Sequence, residues 1–164
     1  MRKIHLEIDD LISKRELTES KTLKRNYTRI IIKLRRRIQN LQTELHYKLS
    51  VWLTDHFDNI IIPKFGSKNM VKKSNRKIGK VTVREMMTLA HGKFLEKLKN
   101  KAESKGVNVI IVDEKYTTMT CGRCHRRKYN IKAAKEWICN NCSWHHGRDS
   151  NAARNIGFKV HKVY

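Results

Sequence analysis

The sequence predicts an α/β protein with long helices, two short strands and a small cysteine-rich module inserted behind the second strand. Three observations carry this prediction. Apolar residues recur at helical spacing through residues 1–20 and again from residue 22 to 52. Residues 60–62 and 107–112 are β-branched runs of strand type. All four cysteines of the chain lie within residues 121–142, as two Cys-x-x-Cys pairs.

The N-terminal third is predicted to be helical. In residues 1–20 the apolar side chains are spaced as on one face of a short amphipathic helix; they are Ile4, Ile8, Leu11 and Ile12. From Thr22 a second apolar stripe continues unbroken over about eight turns, which predicts one long helix. Its members are Leu23, Tyr27, Ile30, Leu34, Ile38, Leu41, Leu45, Leu49 and Trp52.

The other faces of the long helix are basic, with almost no acidic residue three or four positions away to pair with the cations. A charge run of this kind is either a solvated face or a surface for phosphates. Because the cations repel one another unless phosphates neutralise them, we favour nucleic-acid contact. The candidate contact residues on this helix are Arg29, Lys33, Arg35, Arg36 and Arg37.

The first strand stops at Pro63, which lacks a ladder donor. Residues 65–80 then form a basic loop without any acid, expected to order on nucleic acid through Lys72, Lys73 and Arg76. Residues 83–105 are predicted to be one helix that ends at Gly106, covers the sheet and joins two parallel strands as a crossover. Its core face is Met87, Ala90, Phe94, Leu98 and Ala102. The strand at residues 107–112 is of the type buried on both faces.

The cysteine spacing is typical of a structural zinc ribbon, with Cys121, Cys124, Cys139 and Cys142 as four thiolate ligands and no open position for chemistry. Two disulfides are an alternative, but they need an oxidising compartment, and the N-terminus does not resemble a secretion signal. A thioredoxin-like redox pair explains only one of the two pairs.

Other residues of the module have two interpretations each. Three histidines near the cysteines could replace a ligand, but four thiolates suffice, so we expect them at the surface or facing nucleic acid; they are His125, His145 and His146. Arg126 and Arg127 are candidate nucleic-acid contacts in the loop of the ribbon. Trp137 is either a stacking platform for bases or, as we favour, a side chain packed beneath the zinc.

Carboxylates bracket the module. The second strand leads into Asp113 and Glu114, and Asp149 or Ser150 is placed to cap an Ala-rich helix over residues 151–156. A zinc ribbon brings its own ends together, so Glu114 and Asp149 can be neighbours. Carboxylates at such a place suit Mg²⁺. The alternative, an N-cap and a solvated acid, is equally compatible with these residues.

The formal net charge is +22 and the isoelectric point about 10.2, so a polyanion is the expected partner. Charge alone names no function, because ribosomal proteins are equally basic. No apolar run approaches the roughly 18 residues that span a bilayer, so membrane insertion is not expected. With no signal peptide recognised, we expect an intracellular protein, in the cytoplasm or nucleoid or in a host nucleus.

The residues 117–124, the second cysteine pair and residues 148–156 (Arg-Asp-Ser-Asn-Ala-Ala-Arg-Asn-Ile) closely resemble the zinc ribbon and third RuvC motif at the C-terminus of TnpB proteins. TnpB proteins are transposon-encoded relatives of the Fanzor proteins and of compact type V CRISPR effectors. The resemblance implies an incomplete RNase H-like (RuvC-like) domain. It divides the chain into a partial RuvC-like region (1–112), a target-nucleic-acid-binding zinc ribbon (113–146) and the third RuvC motif with the C-terminal helix (147–164), where Arg148 is a further contact candidate.

The resemblance also implies catalytic positions. Most TnpB-like proteins carry a catalytic glutamate after the first of these strands, where this chain has Pro63. In the Fanzor-like branch the glutamate is displaced to the strand before the ribbon, where Glu114 stands. Glu114 and Asp149 are therefore the expected Mg²⁺ ligands of a nuclease site. The family's first aspartate lies on a β-hairpin that this sequence does not show, and Asp9 and Asp10 lie on a helical pattern instead.

Three functions remain open. The first is a truncated TnpB/Fanzor-like protein that binds DNA or RNA without cutting it alone. The second is an RNA-guided, Mg²⁺-dependent DNA endonuclease whose first aspartate comes from a separate chain carrying the missing N-terminal part. The third is a basic zinc-ribbon protein of translation or transcription. The expected partners are DNA, a guide RNA and, for the second function, that separate chain.

Overall fold

The computed structural model describes residues 1–64, 66, 79–131 and 134–161. The chain divides into two compact units. The first comprises residues 1–56 and 67–105, and the second comprises residues 57–66 and 106–164. The boundaries inferred from the resemblance, after residues 112 and 146, divide the chain by function rather than by compactness and stay a prediction.

The first unit is helical: α1 (Arg2–Leu17), α2 (Lys21–His56), α3 (Lys80–Leu89) and α4 (His91–Glu103). The short helix and the single long helix predicted for residues 1–52 are confirmed. α1 packs on the first half of α2 through Ile8, Ile31, Leu34 and Ile38, with Ile4, Leu11 and Ile12 at the margin. Burial of one such aliphatic side chain contributes about 1.5–3 kcal/mol, which outweighs the weak propensity of β-branched residues for helix.

The second half of α2 buries a different face from the predicted apolar stripe. Its buried residues are polar, namely His46, Ser50 and Thr54, whereas Leu45 and Trp52 of the stripe are 43% and 50% exposed. Hydrogen bonds explain this choice. A ring nitrogen of His46 bonds the carbonyl oxygen of Leu89 at the end of α3 (2.8 Å), and the Thr54 hydroxyl donates to the Ser50 carbonyl (2.9 Å).

Residues 83–105 are two helices rather than the single predicted helix. Ala90 separates them in the left-handed conformation (φ 42°, ψ 58°), and its N–H donates to the Met87 carbonyl. The break turns Met87 outward, so that 61% of this residue is exposed, whereas Leu98 and Ala102 are buried as predicted. α4 packs against α2, and the helix that contacts both strands of the sheet is a later one, α5 (Arg148–Val160).

The second unit opens with two parallel strands, β1 (Asn59–Pro63) and β2 (Asn108–Val112), paired in register from Asn59 with Asn108 to Pro63 with Val112. The predicted parallel pair, its crossover order and the stop at Pro63 are confirmed. The expected burial of both faces of β2 is wrong, because Ile111 is 39% exposed.

The zinc-ribbon segment follows β2. It contains an antiparallel pair, β3 (Glu136–Ile138) and β4 (His145–Gly147), in which Trp137 faces His146. β4 continues directly into α5. Among the helices that the structure describes, none is long and apolar enough to cross a bilayer.

Candidate metal centre and nucleic-acid interface

The four cysteines converge on one point. Their sulfur atoms all lie within 4.8 Å of one another, with Cys121 and Cys142 3.7 Å apart and Cys124 and Cys139 3.5 Å apart. All four are free thiols, and none of them forms a disulfide bond in the structure, which disfavours the alternative of two disulfides. Zn–S bonds of about 2.3 Å in a tetrahedron hold the sulfurs about 3.8 Å apart. The donor set and its spacing therefore fit Zn²⁺.

The thiols differ in acidity. Burial raises the pKa of Cys121 to about 12, whereas a hydrogen bond from the Arg126 backbone lowers the pKa of Cys124 to about 6. A cation must displace a proton from each neutral thiol that it binds, so metal binding and thiol ionisation occur together. The position of Cys124 at a turn, with a backbone N–H directed at its sulfur, is the local feature that favours its thiolate.

An apolar layer supports the cysteines. Trp137 is buried with Ile131 against Cys121 and Cys139, which confirms the predicted packing of Trp137 beneath the metal. His146 is buried as well, with its ring centroid 4.0 Å from that of Trp137 and 4.6 Å from that of Trp144. Burial lowers the pKa of His146 and keeps the ring neutral.

The expected surface role of the three histidines is therefore wrong for His146. His125 and His145 are exposed as expected, and His145 pairs with Glu136 at 3.3 Å. In the described part of the chain, the only group of three or more metal-binding side chains is the cysteine cluster. The candidate ligand set in the described residues is therefore the four sulfurs.

Two asparagines of α5 fasten the helix to the first cysteine pair, and the sequence analysis did not single them out. Asn151 accepts a hydrogen bond from the Gly122 N–H (2.8 Å) and donates to the Thr120 carbonyl (2.7 Å). Asn155 donates to the carbonyls of Thr117 and Thr120, at 2.8 and 2.7 Å. Both residues are at most 1% exposed. One feature of the sequence could have indicated this role: two asparagines stand one turn apart inside a predicted helix. Asparagine has a low helix propensity, so its presence there suggests that its side-chain amide forms hydrogen bonds.

Asp149 lies in the first turn of α5. The helix begins at Arg148 with Gly147 as its N-cap and without a side-chain capping bond, so the predicted cap by Asp149 or Ser150 is wrong. The Asp149 side chain is 92% exposed, and the Arg148 Nε lies 3.4 Å from its Oδ1. The helix dipole favours a carboxylate at this position without restraining where it points.

Glu114 is exposed just beyond β2, and its backbone carbonyl accepts hydrogen bonds from the Thr117 N–H (3.1 Å) and hydroxyl (2.8 Å). Both expected Mg²⁺ ligands therefore belong to the second unit and face solvent. Neither carboxylate belongs to a group of three or more metal-binding side chains among residues 1–64, 66, 79–131 and 134–161. Asp9 instead forms an ion pair with Arg84 at 2.7 Å, and Asp10 pairs with Lys14 at 2.8 Å.

The candidate nucleic-acid contacts on α2 are all exposed: Arg29, Lys33, Arg35, Arg36 and Arg37. In the ribbon, Arg126 is exposed and Arg127 lies over the ring of Tyr116, 4.4 Å from its centroid. The Arg148 side chain is half-buried beside Asp149. Lys72, Lys73 and Arg76, with most of the basic loop, lie outside the described residues.

Comparisons with known proteins agree with this site. Residues 91–156 match the family model "Cas12f1-like, TNB domain". The chain is 33% identical over 149 residues to TnpB-like protein L79 of Acanthamoeba polyphaga mimivirus, covering 91% of this chain and 28% of that protein. Two further TnpB-like proteins of the same virus match to the same extent. The chain thus spans about a quarter to a third of the length of these relatives.

The fold is shared with CRISPR effectors. A Cas12f ternary complex matches with a TM-score of 0.67 and 17% identity, covering 94% of this chain and 31% of that one. A Cas12f1 complex with single guide RNA and target DNA matches with a TM-score of 0.59 and 18% identity, covering 93% and 40%. The family model, the viral relatives and the fold all indicate the same lineage, and over 91% of its length the chain is similar to TnpB-like proteins.

Proposed function

We propose that this chain is a zinc-binding, nucleic-acid-binding protein of TnpB type that binds DNA or RNA through its exposed cations and does not cut DNA alone. The observation that carries this proposal is the four-sulfur cluster tied by Asn151 and Asn155 to a helix of the second unit. A ribbon held this rigidly presents its cations, Arg126 and Arg127, in a fixed arrangement. The net charge of +22 supplies the attraction to phosphate.

A solved Cas12f1 complex with the same fold contains single guide RNA and target DNA, which supports nucleic acid as the partner class. The similarity to TnpB-like proteins over 91% of the chain disfavours the third function, a basic zinc-ribbon protein of translation or transcription. The relation to the Fanzor-like branch remains part of the proposal. It rests on Glu114 standing where that branch carries its displaced glutamate.

The second candidate function is an RNA-guided, Mg²⁺-dependent endonuclease completed by another chain. The exposure of Asp149, at 92%, and of Glu114 favours it, since among the described residues neither carboxylate forms an ion pair with a residue distant in the chain. Two-metal phosphodiester hydrolysis places the ions about 3.5–4 Å apart, and two carboxylates do not neutralise four positive charges. A further aspartate, supplied in trans on a β-hairpin, is what this function requires.

One reaction separates the two functions. The zinc-loaded chain is incubated with supercoiled plasmid and Mg²⁺, with and without added RNA, and both gel mobility and nicking are recorded. We expect a mobility shift and no nicking. Nicking that is lost in Asp149→Ala would establish the endonuclease and contradict the proposed inactivity, whereas nicking that survives Asp149→Ala and Glu114→Ala would refute the site assignment. The absence of any shift at low salt would overturn the nucleic-acid-binding proposal itself.

A further inference from the structure

A cleft of about 480 Å³ lies in the second unit beside the ribbon, lined among others by Asp113, Lys115, Tyr116, Arg127 and Lys159. Its volume falls within the range of about 300–1,000 Å³ typical of small-ligand pockets. The lining combines three cations, one carboxylate, two threonines, the ring of Tyr116 and the imidazole of His125. Inorganic phosphate alone would make no favourable contact with the aromatic ring and would be repelled by the carboxylate. The lining therefore fits a larger ligand that has an anionic group, a flat ring and hydrogen-bond donors.

The aromatic wall is Tyr116. Arg127 Cζ lies 4.4 Å and Lys115 Nζ 5.0 Å from the centroid of its ring, and the residue is 39% exposed. The Tyr116 carbonyl accepts hydrogen bonds from both the N–H and the hydroxyl of Thr120, at 3.0 and 2.9 Å. These bonds fix the backbone beneath the ring. A flat ligand can therefore stack on a prearranged tyrosine and guanidinium without ordering a loop.

Asp113 also lines the cleft. Lys159 of α5 donates hydrogen bonds to the carbonyls of Asp113 (2.8 Å) and Lys115 (2.7 Å), which closes the helix end onto this turn. The Asp113 Oδ1 accepts the Lys115 N–H at 3.1 Å. The carboxylate is thereby oriented by its own turn and offers acceptors on the lining of the cleft.

We infer that this cleft binds one unpaired nucleotide of a single strand and prefers guanine, a proposal that rests on the proposed nucleic-acid-binding function. The base stacks on Tyr116 and Arg127, because every base has a π face for which aromatic rings and guanidinium planes are partners. The cations at the same wall neutralise the adjoining phosphate. The Asp113 carboxylate accepts the hydrogen bonds of the base edge.

The carboxylate determines the preference. An ionised carboxylate only accepts hydrogen bonds and takes two parallel N–H groups in bidentate fashion. The Watson–Crick edge of guanine offers two adjacent N–H donors. Adenine and cytosine offer an amino group beside an unprotonated ring nitrogen. That nitrogen is a hydrogen-bond acceptor, so it is repelled by the second carboxylate oxygen. Thymine and uracil offer one N–H between two carbonyls.

The test uses the zinc-loaded full chain and fluorescein-labelled single-stranded DNA in which every position is an abasic spacer except one central guanine. Matched probes carry adenine, cytosine, thymine or no base at that position, and binding is followed by fluorescence anisotropy. Because stacking on an aromatic side chain strengthens the binding of a base, we expect the guanine probe to bind roughly tenfold more tightly than the abasic probe.

Variants locate the effect. Tyr116→Ala should remove most of the advantage of guanine while leaving the abasic probe bound as before. Arg127→Gln should weaken both probes, because a phosphate loses a cation, but it should also lower the ratio between the affinities of the guanine and abasic probes. Asp113→Asn retains the acceptor for the Lys115 N–H and should abolish the preference for guanine over the other bases. Tyr129→Ala is the matched control, because Tyr129 is 69% exposed and does not line the cleft. Zinc content is measured for every variant, and Arg127→Gln decides the result if Tyr116→Ala loses zinc.

The outcomes separate this inference from the proposed function. If the guanine and abasic probes bind the wild-type chain equally, the chain binds nucleic acid but the nucleotide cleft is refuted. A guanine effect that survives both Arg127→Gln and Asp113→Asn, or that disappears in Tyr129→Ala alone, places the base elsewhere and also refutes it. If no probe binds at low salt, the proposed function itself fails.

Discussion

The side chain of Asn151 accepts a hydrogen bond from the backbone N–H of Gly122 at 2.8 Å, inside the first Cys-x-x-Cys turn. A ligand-bearing turn of the ribbon is thereby joined to the helix that carries Asp149. Asn155, one turn further along, holds the carbonyls of Thr117 and Thr120 that precede the first cysteine. The metal site and the helix therefore act as one structural piece, and the following predictions depend on this connection.

Zinc should be required for the order of the second unit. We expect one Zn²⁺ per chain by elemental analysis, and chelation should unfold residues 115–145, because the binding energy of a thiolate site is folding energy. Cys139→Ser should have the effect of chelation. Hydrogen exchange followed by mass spectrometry is the measurement, with α1 and α2 as the internal control that keeps its protection. A zinc-free preparation with an equally protected ribbon would contradict the assignment.

Asn155→Ala should loosen the ribbon from α5. The variant leaves the buried Thr117 carbonyl short of its best donor, and an unsatisfied buried polar group costs about 1–3 kcal/mol. The measurement is urea unfolding of the zinc-loaded chain, together with the rate of zinc transfer to a chromogenic chelator, which should rise. Asn26→Ala is the control, because Asn26 is exposed on α2. Equal stability of Asn155→Ala and wild type would show that the clamp is not needed.

Gly122→Ala should weaken the contact between the first cysteine turn and α5 by a steric clash, rather than by removing a hydrogen bond. A Cβ at residue 122 would lie 3.0 Å from Asn151 Oδ1 and 3.2 Å from Arg154 Cδ, so the helix or the turn must move. Gly157→Ala is the matched control within α5, since nothing lies within 4 Å of its added Cβ. We expect faster zinc release from Gly122→Ala, and a gain of about 1 kcal/mol in Gly157→Ala from helix propensity. The reverse order of stabilities would contradict the close packing.

Ala90→Gly should stabilise the first unit. Ala90 adopts φ 42°, where the Cβ of an L-residue approaches the following carbonyl at a cost of about 1–2 kcal/mol that glycine avoids. Part of the gain is lost to the greater freedom of glycine in the unfolded chain, so the net rise in unfolding free energy should be about 1 kcal/mol. Ala102→Gly, in the buried face of α4, should destabilise. A loss of stability in Ala90→Gly would show that residues 80–103 prefer one continuous helix.

The sequence was informative where the signal is local. Leu34 and Ile38 of the predicted stripe are buried against α1, although one turn earlier the buried residue is Ile31 rather than the predicted Ile30. The two Cys-x-x-Cys pairs predict the metal site because each pair is one turn of chain. Likewise, β-branched runs and Pro63 predict β1 and its end. Each of these features can be recognised from a short stretch of sequence, without information on the tertiary contacts of that stretch.

The predictions from the sequence were wrong where a residue distant in the chain determines which side chain is buried or where a helix ends. The second half of α2 buries His46 rather than Leu45 because the end of α3 presents a carbonyl that requires a donor. The helix break at Ala90 has no glycine or proline to announce it. The roles of Asn151 and Asn155 depend on carbonyls more than thirty positions earlier in the chain, at Thr117 and Thr120. Tertiary hydrogen bonds determine the roles of His46, Asn151 and Asn155, and the spacing of apolar residues in the sequence carries no information about such bonds.

The most direct test of the account is the salt dependence of nucleic-acid binding by the zinc-loaded chain, with single-stranded DNA titrated at increasing salt. If the exposed cations meet about six phosphates, the affinity should fall on the order of a thousandfold between about 50 and 200 mM salt. Charge reversal at Arg35, Arg36 and Arg37 should flatten that slope, whereas reversal of the exposed Lys3, Lys93 and Lys99 should change it less. An affinity that does not change with salt, or a slope that the arginine reversals leave intact, would contradict the proposed phosphate-binding role of α2.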